Sequence, residues 1–230
     1  MSEVINRRAA LAGLASGMAG LALGGTAAHA ADMQKIQRLV DAAALAAERF
    51  VGGVDIVWVK QNIGSVKGVL ILPSLVKGGF IFGGSGGSGT LLGRDPVTST
   101  WSYPSFHTLG SATFGLQIGV EVSEIVLLMM SQRGMDAMLS TKFTLGGDIS
   151  VAAGPVGVGA KAATADVLAF SRTKGLYGGL NLEGAVITQR NNWNDAYYGR
   201  RVSVSDIVVR RDAQNPDAEK LRHAVAALGQ

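Results

Sequence analysis

The chain has 230 residues, no cysteine, 32 glycines, 6% aromatic residues and a formal net charge of +4. The absence of cysteine excludes disulfides, cysteine-based metal sites and lipid attachment through an N-terminal cysteine. The charge is too small and too mixed for a nucleic-acid-binding composition. A body of this length can still bury a sizeable single core.

The first thirty residues read as a secretory signal peptide. Asn6-Arg7-Arg8 is a basic n-region, residues 9–28 are apolar but contain five glycines, and Ala28-His29-Ala30 is an A-x-A cleavage site. The paired arginines before a weakly hydrophobic stretch suit the twin-arginine route as well as the general one. An uncleaved anchor is the competing reading, disfavoured by the glycines. Removal of residues 1–30 takes away Arg7, Arg8 and Glu3 and leaves 19 basic and 16 acidic residues, a net of +3. Residues 31–230 are then one domain, expected in the periplasm or outside the cell.

Asp32 to Val51 places Ile36, Leu39, Val40, Ala43, Ala47, Phe50 and Val51 on one face of a helix, with Asp32 as N-cap and Gly52-Gly53 as the stop. A stripe of this kind covers a core; a membrane-surface helix would be more basic. Asp55 to Ser65 suits a short helix capped by Asp55. Lys67 to Leu72 reads as a strand closed by Pro73.

Lys77 to Arg94 contains eight glycines in eighteen residues, between the apolar runs Phe80-Ile81-Phe82 and Thr90-Leu91-Leu92. The expected form is strand, close-packed glycine turn, strand. Gly84-x-Gly86-x-x-Gly89 matches a dinucleotide fingerprint and Gly83-x-Ser85-x-Gly87 a nucleophile elbow. Both need a helix to follow, and Gly93 and Pro96 would break one.

Trp101 to Phe106 is a compact aromatic loop that either plugs the end of a sheet or meets a membrane interface. Thr113 to Ser123 alternates strictly and predicts a strand, which residues 124–130 continue as a buried run. Ser131 to Thr141 suits a short helix with Met135, Met138 and Leu139 inward. Leu145 to Ala153 predicts a further strand. Asp166 to Arg172 and Gly175 to Thr188 predict a second hairpin. The run from Gly154 to Lys161 is not a phosphate-binding loop, because its lysine is one place late and Ala162 stands where a hydroxyl is needed. Asn191 to Tyr198 is polar and aromatic and either lines a site or caps the sheet. Ser203 to Val209 is a short helix or strand. Pro216 to Leu228 is a final helix with Leu221, Val225 and Leu228 inward.

Catalytic residues are sparse. Of the three histidines, His29 leaves with the leader, and His107 and His223 have no metal-ligand spacing around them. A Ser85–His107 pair is the one available hydrolase reading, and nothing supplies its third member. Glu121, Glu124, Asp148 and Glu183 sit in predicted strands, where carboxylates usually meet water. Binding is better supplied. Basic residues recur at ends and turns, and interfacial aromatics accompany them, a combination that suits anionic lipid head groups.

Several blocks, taken together and in order, resemble the SYLF-domain family, a lipid-binding module also found in a yeast actin-patch protein. They are Lys67-Gly-Val-Leu-Ile-Leu-Pro73, Lys77-Gly-Gly-Phe80 with Gly86-Gly-Ser-Gly-Thr-Leu-Leu92, Trp101-Ser-Tyr-Pro-Ser105 and Gly115-Leu-Gln-Ile-Gly-Val-Glu121. Further along come Ala153-Gly-Pro-Val-Gly157, Ser171 to Leu180, Leu182-Glu-Gly184 and Tyr197-Tyr-Gly199. The resemblance spans about Gly52 to Arg211. It implies a compact α+β domain that binds membrane lipid without catalysis, with actin binding in some members. The leader departs from that pattern, since an exported protein would not meet actin.

The expected fold is therefore α+β: a twisted antiparallel, glycine-rich sheet able to curl toward a barrel, flanked by N- and C-terminal helices. The expected partner is anionic phospholipid or another envelope lipid, met by peripheral membrane contact, with no nucleic acid, cofactor or metal. Lys67, Lys77, Trp101, Tyr103, Arg172, Lys174, Arg200 and Arg201 are the candidate lipid-binding residues. The alternatives are a serine hydrolase using Ser85, and a homo-oligomeric envelope protein assembling through the Gly115–Gly119 strand.

Overall fold

The computed structural model describes residues 30–53, 56–79, 82–114, 119–154, 164–173, 176–180 and 182–229. Helix α1 covers 30–51 and α2 Ile56–Asn62, which runs into a 3-10 turn. Four long strands follow: β1 Gly68–Gly79, β2 Phe82–Gly93, β3 Ser105–Phe114 and β4 Gly119–Met129. After them come α3 Gln132–Met138, β5 Lys142–Thr144, β6 Val151–Ala153, β7 Val167–Thr173, β8 Leu176–Gly179 and β9 Val186–Gln189. The chain closes with α4 Asn191–Tyr198, a π-helical turn Asp206–Arg210 and α5 Glu219–Ala226 between short 3-10 turns.

The strands form one sheet in the order β5-β9-β3-β2-β1-β4-β7-β6, with β8 also on β7. Within it β1 to β4 lie in the order 4-1-2-3, a Greek key. The sheet is antiparallel but for the β6–β7 pair. Parallel neighbours need a crossover of about a dozen residues, and 154–166 provides that length.

Both faces of the sheet are buried at one end, the closed end. On one face Val69, Ile71, Leu92, Phe106, Val126, Leu128, Leu168 and Phe170 pack under Ile36, Val40, Ala43, Ala47 and Phe50 of α1, Trp193 and Tyr197 of α4, and Leu221 and Val225 of α5. This is the helix face. On the other, Leu70, Leu72, Leu91, Leu109, Ile125, Leu127 and Met129 pack with Met135 and Met138 of α3, Phe143, Ile207 and Val208. Two-sided burial is why residues 125–129 are continuously apolar rather than alternating. The apolar stripe of α1 covers core, as its spacing predicts. Each fully buried aliphatic side chain contributes about 2 kcal/mol.

Four expectations are corrected. First, the glycine-rich run is not a turn. It is strand β2 itself, and the hairpin reverses between Gly79 and Phe82. Strand β1 also passes through Pro73, because the register shifts around it, between Leu72 and Leu75 against β4 and between Ile71 and Val76 against β2. A bulge there leaves Pro73 without a ladder bond to lose. The bulge presses on β2: a Cβ at Gly87 would lie 2.5 Å from the Ser74 carbonyl oxygen, and one at Gly89 2.6 Å from that of Ile71.

Second, Thr113 to Ser123 is not one strand. β3 ends at Phe114 beside Phe82, and β4 starts at Gly119 beside Gly79. Residues 115–118 lie outside the described residues, and with them most of the glycine-faced strand proposed for assembly. Third, Leu145 to Ala153 breaks into a tight turn closed by an isolated Leu145–Ile149 bridge, and β6. Gly146 has φ +81° there, and the Asp148 carboxylate accepts the Thr144 N–H at 2.7 Å. Fourth, Gly175 to Thr188 divides into β8, which pairs with β7, and β9, which pairs with β3 and β5. Gly184, at φ +81°, makes the turn between them.

Candidate functional site

The eight candidate lipid-binding residues do not converge. Lys67 is at the closed end, its N–H donating to the Met129 carbonyl and its own carbonyl accepting from Arg94. Lys77 is ten residues further along β1, about 30 Å away. Trp101 is only 5% exposed and belongs to the core. The Tyr103 hydroxyl donates to the Glu219 carboxylate at 2.5 Å, and the Arg222 guanidinium lies 4.4 Å over its ring. Arg222 also donates twice to the Trp101 carbonyl, at 3.0 and 3.2 Å. The aromatic loop is therefore a plug pinned by α5, and Trp101 has no surface to give a membrane. Arg172 shares Glu124 with Arg49, at 3.4 and 2.6 Å. Arg200 donates to the Asp212 carbonyl, Arg201 is exposed, and Lys174 lies outside the described residues.

The Ser85–His107 pair is overturned. Ser85 stands opposite Ser111 and shares a 2.7 Å hydrogen bond with it. His107 is four residues back along β3, about 13 Å from that position. It is buried, with its Nε2 3.1 Å from the Ser105 Oγ, and burial pushes its pKa down to about 3. Because Gly83–Gly89 is flat strand with no helix behind it, neither glycine motif has the geometry its chemistry needs. Among the described residues no three His, Cys, Asp or Glu side chains converge as metal ligands.

The unusual surface is the far end of the same sheet, the open end. Helix α1 stops where Phe50 meets Phe170 edge-on, with ring centroids 5.1 Å apart, and where Arg49 reaches Glu124. Beyond that border the helix face carries two rows set by the register. One runs Gly110, Gly86, Val76, Val122; the next runs Ala112, Gly84, Gly78, Val120. No charge stands in either row. Val76, Val122 and Val120 are 44%, 55% and 77% exposed. The opposite face of the same strands is polar, with Ser111, Ser85, Lys77 and Glu121 in one row and the Ser123 and Thr173 hydroxyls 2.8 Å apart.

Three of the four glycines in these rows differ from those in the core; at the fourth, Gly84, a Cβ would lie 3.2 Å from the Ser111 carbonyl oxygen. A Cβ at Gly86, Gly110 or Gly78 would meet its nearest neighbour at 3.9–4.0 Å, an ordinary contact. None of the three has a positive φ. The fold's own packing does not require them to be glycine, although glycine weakens a strand. Their effect is to keep the surface flat.

At its β3 edge this flat face runs into a cleft of about 490 Å³ lined by Thr108, Gly110, Lys142, Val186, Thr188, Gln189, Arg190 and Asn192. Lys142, Thr188, Thr108 and Ser88 stand in one row across β5, β9, β3 and β2. The Arg190 guanidinium stacks 3.7 Å over the Trp193 ring, with the Lys35 ammonium 5.5 Å from the same ring. Partial burial pulls the Arg190 pKa down, and the Asp32 carboxylate nearby opposes that shift. Among the described residues no carboxylate lines the cleft itself. Sequence reasoning missed Lys142 and Arg190, because only the long-range pairing of β9 with β3 brings them beside the glycine rows.

The family model described as Ysc84, Las17-binding protein actin regulator, matches residues 110–228. LAS seventeen-binding protein 3 of Saccharomyces cerevisiae is 34% identical over 180 residues, covering 74% of this chain and 38% of its own length. Protein YSC84 of the same yeast is 34% identical over 177 residues, with 74% and 37% covered. The SH3 domain-containing YSC84-like protein 1 of Homo sapiens is 32% identical over 175 residues, with 74% and 51% covered. The chain thus spans between 37% and 51% of the length of these relatives. No solved structure matches it.

Proposed function

The chain belongs to the Ysc84 family of SYLF-domain proteins, and on that premise we propose that it is a non-enzymatic lipid-binding module of the cell envelope. The observation that carries the proposal is the uncovered face at the open end of the sheet. It is apolar, uncharged and flattened by glycines, of which Gly78, Gly86 and Gly110 have room for a Cβ among the described residues. A face of this kind suits a layer of lipid, and the basic residues around its border, Lys142, Arg190 and Arg49 among them, favour anionic head groups. The leader-like start of the sequence, with Arg7-Arg8 and Ala28-His29-Ala30, supports a place in the periplasm or outside the cell. The family description speaks of Las17 binding and actin regulation. An exported chain would meet neither, so the lipid reading is the part we carry over.

The test is flotation of the purified chain with vesicles of phosphatidylcholine alone and of phosphatidylcholine mixed with phosphatidylglycerol, at low and high salt. Flotation with the anionic vesicles that weakens with salt is the expected result, because exposed charges are screened within about 10 Å at moderate ionic strength. A chain that stays at the bottom with every vesicle overturns the proposal. Self-association through the same face is a separate outcome, read by sedimentation over a range of concentrations without lipid.

A further inference from the structure

We infer that the open end holds a single anionic phospholipid molecule, its phosphate in the Lys142–Arg190 cleft and an acyl chain along the Gly110–Gly86–Val76–Val122 row. The inference rests on the lipid-binding reading and sharpens it from a surface to a site.

Three features of the structure converge on this occupant. The cleft presents two cations, Lys142 and Arg190, with the Thr108 and Thr188 hydroxyls and the Asn192 amide, and no carboxylate among its lining residues. Among the described residues neither cation is held in a salt bridge; Arg190 is stacked on Trp193, and Lys142 is exposed. A charge of this sign beside hydroxyl and amide donors matches a phosphate monoester or diester. Gly110 then belongs both to the cleft lining and to the flat apolar row. From β3 the row crosses β2 and β1 to β4, roughly 14 Å at the usual strand spacing. A free phosphate would use the cleft and leave that row unexplained. A purely apolar ligand would leave the two cations unexplained. An amphiphile with one anionic end uses both.

Glycine supplies the independent argument. Gly86 and Gly110 have room for a Cβ within the fold and adopt no left-handed backbone. A strand glycine with neither constraint marks a place where something outside the strand approaches closely. Filling the row with side chains would hold an acyl chain off the backbone.

Calorimetric titration of the full chain with dihexanoyl phosphatidic acid, kept below its micelle concentration, tests the inference. Dihexanoyl phosphatidylcholine and inorganic phosphate are the comparators. The expected result is saturable binding of the phosphatidic acid, at least tenfold weaker binding of both comparators, and a loss of at least tenfold in Lys142→Glu and in Gly86→Leu. Both positions are exposed, and far-UV circular dichroism checks that the variants fold; Lys142→Gln gives a milder second variant with an intermediate loss. Inorganic phosphate that binds as tightly as the short-chain lipid would overturn the inference, and so would unchanged binding in the variants. Flotation on anionic vesicles without any binding of the monomeric lipid would sink the single-molecule site and leave the surface reading standing. Failure of both assays would remove both.

Discussion

Along β1 to β4 the closed end of the sheet carries leucine, isoleucine, valine and phenylalanine on both faces, and each face is covered. Along the same four strands the open end carries glycine, alanine and valine on one face and serine, lysine and glutamate on the other, and α1 covers neither. Glycine occurs in both halves with opposite meanings. Gly87 and Gly89 leave room for the β1 bulge, so their missing side chains are filled by protein. Among the described residues nothing approaches Gly86 or Gly110 closely enough to require the missing side chain. Composition cannot tell these two kinds apart, and a neighbour list can.

The largest expected effect breaks the closed half. Gly89→Val would drive a side chain into the Ile71 carbonyl and the Leu72 side chain. It should cost about 3 kcal/mol or more, read as a lower midpoint in urea unfolding. The same change at Gly86 should leave the midpoint almost in place, and equal losses at the two positions would erase the distinction between the halves.

His107 sets the next effect. Its imidazole is buried at the closed end and stays neutral down to about pH 3, whereas an unfolded histidine gains its proton near pH 6.5. The unfolded chain thus binds one more proton between those values. The stabilisation is complete above pH 6.5 and falls by about 1.4 kcal/mol per pH unit as acid is added. His107→Gln should flatten that part of the pH–stability curve; an unchanged slope would show that other groups control it.

At the border between the halves, Glu124→Gln removes the carboxylate that Arg49 and Arg172 share. These cations are partly exposed, so a loss of about 1 kcal/mol in chemical denaturation is expected. A loss several times larger would mean that the end of α1 depends on this cluster more than on Phe50. The smallest effect belongs to the open end. Gly86→Ala should raise stability by up to about 0.5 kcal/mol, since it removes chain entropy from the unfolded state, while reducing flotation on anionic vesicles. A variant that gains stability and keeps full lipid binding would argue against the flat face as the binding surface.

Helices α1, α2, α3 and α5 were legible because each is amphipathic or capped, whereas α4, a polar and aromatic run with no side-chain cap, was not. Ile36, Val40, Ala43 and Phe50 fix α1 by spacing alone, and Leu221 and Val225 fix α5. The α+β class followed from the same patterns. The strand boundaries were not legible where β-prone sequence runs through a reversal. Val120 and Val122 continue the alternation of Phe114, yet they belong to a different strand and stand exposed. Strand β2 was misread because seven residues with no apolar side chain, Gly83 to Gly89, give no period at all. Of the candidate site, the basic and aromatic residue types were visible but their grouping was not. Lys142 and Arg190 come together with Gly110 through pairings between β3, β5 and β9, and no local signal encodes those. Trp101 was misassigned because interfacial and plugging tryptophans share the same sequence setting.

The bulge in β1 also acts on the family's sequence history. One extra residue between Leu72 and Leu75 inverts the odd–even phase of the strand, so that both leucines face the same core. A relative that lacked that residue would stay in phase beyond it, with the counterparts of Val76 and Lys77 on their present faces. Its second strand would no longer have Ser74 and Leu75 pressing on it, and a side chain would be tolerated at the position of Gly87, whereas Gly89 would still face Ile71 and Leu72. Insertion in one strand and glycine in its neighbour should therefore be gained and lost together, whereas Gly86 and Gly110 should vary independently of both, following the ligand instead of the fold.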